Sequence, residues 1–243
     1  MLQNANLIFA AMKLTANSFE EGHVLLINKP IDWTSFDAVR KIRNLIRIKK
    51  VGHAGTLDPL ATGLLIICTG KFTKKLNVYM AQEKEYSGTF TMGSTTPTFD
   101  LESEPQNFKD ISFLTSEIII EATKDFIGEI NQVPPIHSAI KVDGKRVYEL
   151  ARKGIDVKLE PRKITIKEFQ ITKIELPVIS FLVVCSTGTY IRSLANDFGE
   201  KLGCGAYLSS LCRTRIGEHK LENALTIEEF ENEVMVLRNQ KDS

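Results

Sequence analysis

The chain has 243 residues, 31 lysines and arginines against 30 aspartates and glutamates, a formal net charge of +1 and 43% hydrophobic residues. This composition excludes a disordered, collagen-like or coiled-coil protein, and no apolar run reaches the ~18 residues that a membrane-spanning helix needs. The near-zero net charge excludes a protein that coats nucleic acid by bulk charge, but it is compatible with a local basic face.

The N-terminal residues predict a leader followed by a buried strand. Residues 1–22 lack clear periodicity, so we expect a loose leader that is not a signal peptide. Residues 24–27 are apolar and precede Lys29 and Pro30, which predicts a strand that ends there. The four cysteines form no C-x-x-C pair, and three of them lie in apolar stretches. We therefore expect reduced thiols, no metal site and a cytoplasmic protein.

A basic helix follows. Apolar residues at helical spacing predict a helix over residues 35–50, with Ser35 as its cap. Six basic residues occupy its other faces, and no acidic residue follows Asp37. Two interpretations have equal weight: a solvated face, or a surface that contacts phosphates through Arg43 and Arg47.

The segment 51–63 is rich in glycine and poor in charge. Gly52, Gly55 and Gly63 allow the backbone to fold tightly and to approach a ligand. A lone aspartate such as Asp58 usually caps a turn, but a rigid turn would also place its short carboxylate accurately. The segment contains no second acid and no lysine, which excludes a glycosidase pair and a phosphate-binding P-loop.

The remaining pattern mixes strands and helices without a regular β-α-β rhythm, which predicts an α+β fold. We expect a largely antiparallel central sheet, flanked by helices and loops, in one domain over residues 23–243. The predicted elements are strands over residues 64–68, 86–92, 164–175 and 180–186, a polar loop over 95–105, a hairpin at 143–144, helices over 117–126, 146–153 and 189–202, and a last helix that Thr226 and Glu229 cap.

The junction after the strand at residues 180–186 carries a second group of interest. An arginine at the start of a helix more often faces water, but Arg192 directly follows this apolar strand, so we also consider a deep junction. A guanidinium buried there would need a carboxylate partner. Asp58 is the predicted partner, and the pair would favour the ionised carboxylate. Tyr86 and Tyr190 are of a type found mostly in the core, but tyrosines also supply flat surfaces for an unstacked base.

Together these segments resemble a known family. The pattern G-H-x-G-x-L-D-P-x-A-x-G at residues 52–63 is similar to the signature of the TruB family of tRNA pseudouridine synthases. Further blocks in the family's order are found at residues 26–35, 93–100, 134–148, 185–192 and 203–206. The resemblance covers about residues 24–217.

The resemblance implies a pseudouridine synthase fold and an enzyme that isomerises uridine to pseudouridine at position 55 in the T-loop of tRNA. It implies no cofactor and no metal, the T stem-loop of tRNA as partner, and a monomer. Asp58 corresponds to the catalytic aspartate, Tyr86 to a tyrosine that stacks on the base and assists proton transfer, and Arg192 to the arginine that pairs with the aspartate.

Other positions are carried over in the same way. Tyr190 and Leu211 correspond to residues that contact the substrate, and His53 to a histidine that supports the RNA loop after the base has left it. The structural motif positions are Lys29, Pro30, Gly52, Gly55 and Gly63. We also expect the chain to lack the C-terminal PUA module that many members carry.

The sequence leaves two alternatives to this function open. One is a pseudouridine synthase for another RNA, guided by partners. The other is a tRNA-folding protein that does not need catalysis. The presence of Asp58, Tyr86 and Arg192 together weighs against the second alternative.

Overall fold

The computed structural model describes residues 18–136, 141–142, 145–146 and 159–239, and it divides into two units. Unit 1 comprises the described residues of Met1–Glu85 and Cys212–Ser243, and unit 2 those of Tyr86–Leu211. The elements in chain order are α1 (Ser18–Glu21), β1 (Val24–Lys29), α2 (Ser35–Ile46), β2 (Val51–His53), β3 (Ala61–Thr69), α3 (Leu76–Ala81), β4 (Lys84–Met92), α4 (Ser116–Thr123), β5 (Gly128–Gln132), β6 (Lys141–Val142), β7 (Lys145–Arg146), β8 (Arg162–Glu175), β9 (Val178–Cys185), α5 (Ile191–Lys201), β10 (Ala206–Ile216), β11 (His219–Lys220), β12 (Leu225–Thr226) and α6 (Ile227–Asn239).

Unit 1 is built around strand β3. Strand β1 pairs with β3 in antiparallel fashion along its whole length, β12 adds to β1 in parallel, and β2 also pairs with β3. Leu65 and Ile67 of β3 pack into one apolar cluster with α2 and α6, while Leu64 and Ile66 pack into a second cluster. Because both faces are buried, the strand is an unbroken apolar run rather than an alternating one. The strand predicted at 64–68 is confirmed.

The start of α2 corrects the predicted cap. Thr34, not Ser35, is the N-cap: its hydroxyl accepts a hydrogen bond from the Asp37 N–H, and the Asp37 carboxylate accepts one from the Thr34 N–H. This reciprocal capping box satisfies two backbone donors that the first helical turn leaves unpaired. Ser35 is buried instead, and its hydroxyl hydrogen-bonds to the backbone of Leu57.

Two further boundaries differ from the predictions. Helix α2 ends at Ile46, before the predicted end at residue 50, because Arg47 adopts a left-handed conformation with φ of 56°. At the N-terminus, Phe19 lies in a short helix, is 2% exposed and packs edge-on against Phe230. Residues 18–22 of the predicted loose leader of residues 1–22 are therefore part of unit 1, because Phe19 anchors them in its core.

Unit 2 is centred on the antiparallel pair β8–β9, whose register runs from Ile166 opposite Cys185 to Glu175 opposite Val178. The strand order is β10-β4-β9-β8-β5, and α4 packs against β8. The core contains five phenylalanine rings in mutual contact: Phe90, Phe126, Phe169, Phe181 and Phe198.

Most of the elements predicted in unit 2 are confirmed. These include the paired strands at 164–175 and 180–186, the strand at 86–92 and the helix at 189–202, which begins at Ile191. Strands β6 and β7 pair as the predicted hairpin requires. The helix predicted over 146–153 lies, apart from its first residue, outside the described residues.

The predicted class is confirmed. Among the strand pairs with a described register, only β1–β12 is parallel, so the sheet is largely antiparallel and the fold is α+β. All four cysteines lie in the described residues and form no disulfide. None of the described helices is long and apolar enough to cross a membrane.

Candidate active site

The loop that carries Asp58 connects β2 to β3 in unit 1. Gly55 and Gly63 have φ values of 92° and 102°, a region that side chains rarely adopt. A Cβ atom at Gly63 would lie 2.4 Å from the carbonyl oxygen of Arg213, so only glycine fits there. The Ala61 N–H donates to the carbonyl of Asp58 at 3.1 Å, which closes the turn around this residue. The tight backbone predicted from the glycines is confirmed.

The first half of this loop is attached to the start of α2. The Leu57 N–H donates to Ser35 Oγ at 2.8 Å, and Ser35 Oγ donates to the Leu57 carbonyl at 3.1 Å. The Asp32 N–H donates to the Pro59 carbonyl at 2.9 Å. These bonds involve the residues on either side of Asp58, so they restrict where its carboxylate can lie.

Lys29, at the end of β1, is fully buried beneath the loop. Its Nζ donates to the carbonyl oxygens of Pro30, Trp33 and Pro59 at 2.9, 2.6 and 3.3 Å. Burial lowers the pKa of Lys29 from 10.5 to about 8, and the negative charge of Asp58 is the largest of the effects that oppose this shift. Lys29 therefore contributes a partly compensated positive charge beside Asp58, in addition to its predicted structural role.

Arg213, on β10, is another buried cation of unit 1 and is 1% exposed. Its Nε donates to the Leu64 carbonyl at 2.8 Å, Nη2 to the Gly55 carbonyl at 3.1 Å, and Nη1 to the Thr56 carbonyl at 3.5 Å. The guanidinium therefore contacts both ends of the Asp58 loop. The sequence did not single out this residue, because nothing in its neighbourhood along the chain indicates these partners.

His53 ends β2 at the entrance to the loop. Burial lowers the pKa of His53, and a hydrogen bond with the backbone of Gly55 opposes that shift. Its Nδ1 atom is buried and has no hydrogen-bond partner within the described part of the chain. The imidazole is therefore neutral near pH 7, which suits stacking or space-filling better than the binding of an anion.

Arg192 lies in the first turn of α5 in unit 2 and is 5% exposed, so the deep junction is confirmed. Its Nε is 3.6 Å from Oδ2 of Asp100, and its Nη1 donates to the Thr98 carbonyl at 3.4 Å. Asp100 is 4% exposed and also accepts the Glu102 N–H at 3.0 Å. A buried carboxylate partner was expected, but Asp100 was not identified. The predicted pairing with Asp58 joins residues of the two units and stays a prediction.

The start of α5 is held by a glutamine that the sequence analysis missed. Gln132 is 2% exposed, accepts the Tyr190 N–H at 2.8 Å and donates to the Tyr190 carbonyl at 3.0 Å. Tyr190 itself is half-buried, Tyr86 is 9% exposed near the start of β4, and Leu211 is half-buried on β10. The substrate-contacting roles of these three residues stay predictions.

The basic surface of α2 is smaller than the sequence suggests. Arg40 pairs with Asp37, and Lys41 pairs with Glu231 of α6. Arg43 is half-buried and donates to the Val51 carbonyl at 3.4 Å. The exposed basic side chains at and beyond the end of the helix are Arg47, Lys49 and Lys50.

The described residues contain no group of three or more histidine, cysteine, aspartate or glutamate side chains that could hold a metal ion. The polar groups with potential chemistry are instead one half-buried carboxylate, Asp58, with cations beneath it, and one buried guanidinium, Arg192, with its own carboxylate.

Comparisons with known proteins agree along nearly the whole chain. A model of the TruB family pseudouridylate synthase N-terminal domain matches residues 43–191, and a model of the tRNA pseudouridylate synthase B C-terminal domain matches residues 192–243. The chain is 53% identical over 225 residues to tRNA pseudouridine synthase B of Flavobacterium johnsoniae, covering 90% of this chain and 98% of that protein. It is 52% identical over 219 residues to the enzyme of the same name from Phocaeicola vulgatus, covering 88% and 93%.

The fold is also similar to that of a solved structure. A chain of a Cbf5-Nop10-Gar1 complex superposes with a TM-score of 0.71 at 29% identity. The match covers 91% of the present chain but only 57% of that one.

Proposed function

This chain belongs to the TruB family of pseudouridylate synthases, and we propose that it isomerises uridine to pseudouridine at position 55 in the T-loop of tRNA. The observation that carries this proposal is the 53% identity to a tRNA pseudouridine synthase B over 98% of that protein's length. Membership of the family also confirms the predicted pseudouridine synthase fold. We further propose that the enzyme acts in the cytoplasm as a monomer.

The reaction breaks the N1–C1′ bond of uridine, turns the uracil and rejoins it through C5. Atoms and electrons balance without an oxidant, a reductant or an external group, so the reaction requires no cofactor. Bond cleavage develops positive character at the sugar carbon. An ionised Asp58 would stabilise this charge, attack the carbon or remove a sugar proton. The positive charge of Lys29 supports an ionised Asp58 near neutral pH.

The target base must leave the stacked T-loop before the reaction, at a cost of roughly a few kcal/mol. In this proposal the base stacks on the Tyr86 ring, which returns on the order of 1–3 kcal/mol, and Tyr190 and Leu211 complete the contacts to the substrate. His53 fills the vacated space, a role that its neutral and partly unsatisfied imidazole supports.

Arg192 is proposed to bind the Asp58 carboxylate when the site is assembled. Its burial supports this role, since a guanidinium in a low dielectric environment interacts strongly with nearby charges. Asp100 would then fix the direction of the guanidinium while Asp58 takes part in the chemistry.

The T stem is proposed to contact the basic surface around the end of α2, formed by Arg43, Arg47 and the two lysines that follow. Arg47 supports this role best, because it is exposed and has no acidic partner among the described residues. Such contacts to phosphates bind RNA without reading its sequence.

The direct test is incubation of the purified protein with a T-arm stem-loop RNA, followed by chemical detection of pseudouridine. We expect conversion at position 55, and no conversion when that uridine is replaced by cytidine. Mapping pseudouridine in tRNA and rRNA from a deletion strain provides the complementary test. Loss of pseudouridine from rRNA, with tRNA unaffected, would reject the proposal in favour of another RNA substrate.

A further inference from the structure

We propose that Arg213 is a positioning residue for the catalytic aspartate, acting by holding the two ends of the Asp58 loop at a fixed separation. The inference rests on the proposed function, because it assigns a role in that reaction to a side chain outside the family motifs identified in the sequence. Among the residues that the structure describes, Arg213 is the largest of those that are almost completely buried.

The contacts of Arg213 span the loop. Gly55 and Thr56, whose carbonyls accept from Nη2 and Nη1, precede Asp58, whereas Leu64, whose carbonyl accepts from Nε, follows it. A guanidinium is planar and presents its donors in a rigid fork, so these bonds fix the two ends relative to each other. Two other side chains that bind this loop, Lys29 and Ser35, contact its middle, at Pro59 and Leu57.

The backbone of the loop also packs closely against Arg213. A Cβ atom at Gly63 would lie 2.4 and 2.7 Å from the backbone oxygen and nitrogen of Arg213, and one at Gly55 would lie 3.6 Å from its Nη1. The absence of a side chain at Gly63 therefore allows strand β10 to approach the loop at Arg213, whereas the distance at Gly55 is an ordinary van der Waals contact. A displacement of Arg213 would be passed directly to the backbone on both sides of Asp58.

The charge of Arg213 is not explained by pairing. Among the described residues, no carboxylate lies within ion-pair distance of its guanidinium, and its hydrogen-bond partners are main-chain carbonyls. An apolar side chain would usually stabilise a buried position at least as well as a buried charge does. A positive charge held beside the loop, however, favours the anionic form of Asp58 and so serves the proposed reaction.

The test compares Arg213→Lys with Arg215→Lys, two residues further along the same strand. Arg215 is a matched control, because its guanidinium is half-buried and binds Glu83 and Glu85 rather than the loop. For Arg213→Lys we expect kcat on the T-arm to fall about 100-fold with KM within about twofold, since a small displacement of a reacting group has effects of this size. Arg215→Lys should leave both parameters within about twofold of wild type.

A second readout does not depend on activity. Amide hydrogen exchange in residues 55–64 should be about tenfold faster in Arg213→Lys than in wild type, and unchanged in Arg215→Lys. A kcat of Arg213→Lys equal to that of the wild type would overturn the inference. So would an equal loss of activity in Arg213→Lys and Arg215→Lys that is fully explained by the unfolded fraction of each variant.

A measurement on the wild-type protein keeps the inference testable if the variant does not fold. If Arg213→Lys does not fold, amide hydrogen exchange in the wild-type loop decides. Protection of the loop amides comparable to that of the β3 amides supports the proposed role of Arg213, and rapid exchange refutes it. If the wild-type protein does not convert the T-arm, the proposed function fails, while the exchange comparison still decides whether Arg213 holds the loop.

Discussion

Buried cations are stabilised in different ways in the two units. In unit 1, Lys29 and Arg213 donate to main-chain carbonyls, whereas in unit 2 Arg192 faces the carboxylate of Asp100. Carbonyl partners fix the shape of a chain but leave its positive charge largely uncompensated, while a carboxylate partner neutralises the charge. Unit 1 thus provides a rigid loop with positive surroundings for Asp58, and unit 2 provides a guanidinium of fixed direction.

The difference follows from what each segment offers. The loop over residues 52–63 is rich in glycine, so its backbone carbonyls are accessible to buried donors. The segment around Asp100 instead buries short polar side chains: Thr96 and Thr98 both donate to the Asp100 carbonyl, at 2.7 and 3.3 Å. Local composition therefore decides whether a buried cation finds main-chain or side-chain oxygen atoms.

Replacing Asp100 by asparagine should have the largest effect in unit 2, because it removes the negative charge that lies 3.6 Å from the buried guanidinium of Arg192. We expect the free energy of unfolding to fall by about 3 kcal/mol or more, and single-turnover conversion to slow by about 100-fold as the guanidinium shifts. Denaturant unfolding and rapid-quench assays measure these two quantities. Asp110→Asn is the control, since that exposed carboxylate binds Ser112 and the backbone of its own turn. Equal effects of both variants would contradict the special role of Asp100.

Tyr86→Phe separates the ring from the hydroxyl in the same unit. The ring is retained, so RNA binding should change by less than about twofold. Loss of the hydroxyl should slow conversion by about tenfold to 100-fold if it assists proton transfer, an effect at or below the lower end of that seen for general acids and bases. An unchanged single-turnover rate would assign Tyr86 to stacking alone.

Lys29 provides a pH-dependent test of the carbonyl-bound cations. Its pKa in the folded protein is about 8, so wild-type activity should fall as pH rises above this value, by up to about tenfold per pH unit, as the positive charge beside Asp58 is lost. Lys29→Met should have lower activity at pH 7 and lack this alkaline decline. A ratio of wild-type to Lys29→Met rates that stays constant from below pH 8 to well above it would argue against an electrostatic role.

The contribution of Lys29 to stability should change with pH in the direction opposite to that of activity. Folding lowers the pKa of Lys29 from 10.5 to about 8, so the folded protein binds fewer protons than the unfolded chain between these pH values. The free energy of unfolding of the wild type, relative to Lys29→Met, should therefore rise with pH over this window and be constant below it. A fall in relative stability over the same window would contradict the burial of a charged lysine.

The smallest effect is expected at the basic surface of α2. Neutralising Arg43 and Arg47 together should weaken tRNA binding and reduce the slope of log K against log salt concentration by roughly 1 to 2. Lys41→Gln is a suitable control, because the charge of Lys41 is already paired with Glu231. An unchanged slope in the double variant would return this surface to an ordinary solvated helix face.

Local patterns in the sequence were sufficient for the elements that depend on neighbouring residues. The apolar run of β3 and the glycine-lined turn around Asp58 are confirmed. So is the capping box of α6, in which Glu229 accepts from the Thr226 N–H at 2.8 Å. The cap of α2 was misassigned because Thr34 and Ser35 are both good caps, and only the distant Leu57 decides between them.

The residues that the sequence analysis missed are buried polar groups with distant partners. Arg213 Nε and its Leu64 acceptor are 149 residues apart, Arg192 and its Thr98 acceptor 94 residues, and Gln132 and its Tyr190 partner 58 residues. No periodicity or spacing of neighbouring residues encodes such pairs. For Asp100 a partial signal existed, since it lies in a block that resembles the family, but its role required the folded structure.

We propose that the carboxylate of Asp58 carries the chemistry, and single-turnover pseudouridine formation in tRNA with the Asp58→Asn variant tests this role most directly. Asparagine keeps the shape of the side chain and removes the negative charge. We predict that no pseudouridine forms at position 55 while the affinity for tRNA stays within about twofold of wild type. Conversion by Asp58→Asn at a rate close to that of the wild-type protein would contradict the claim.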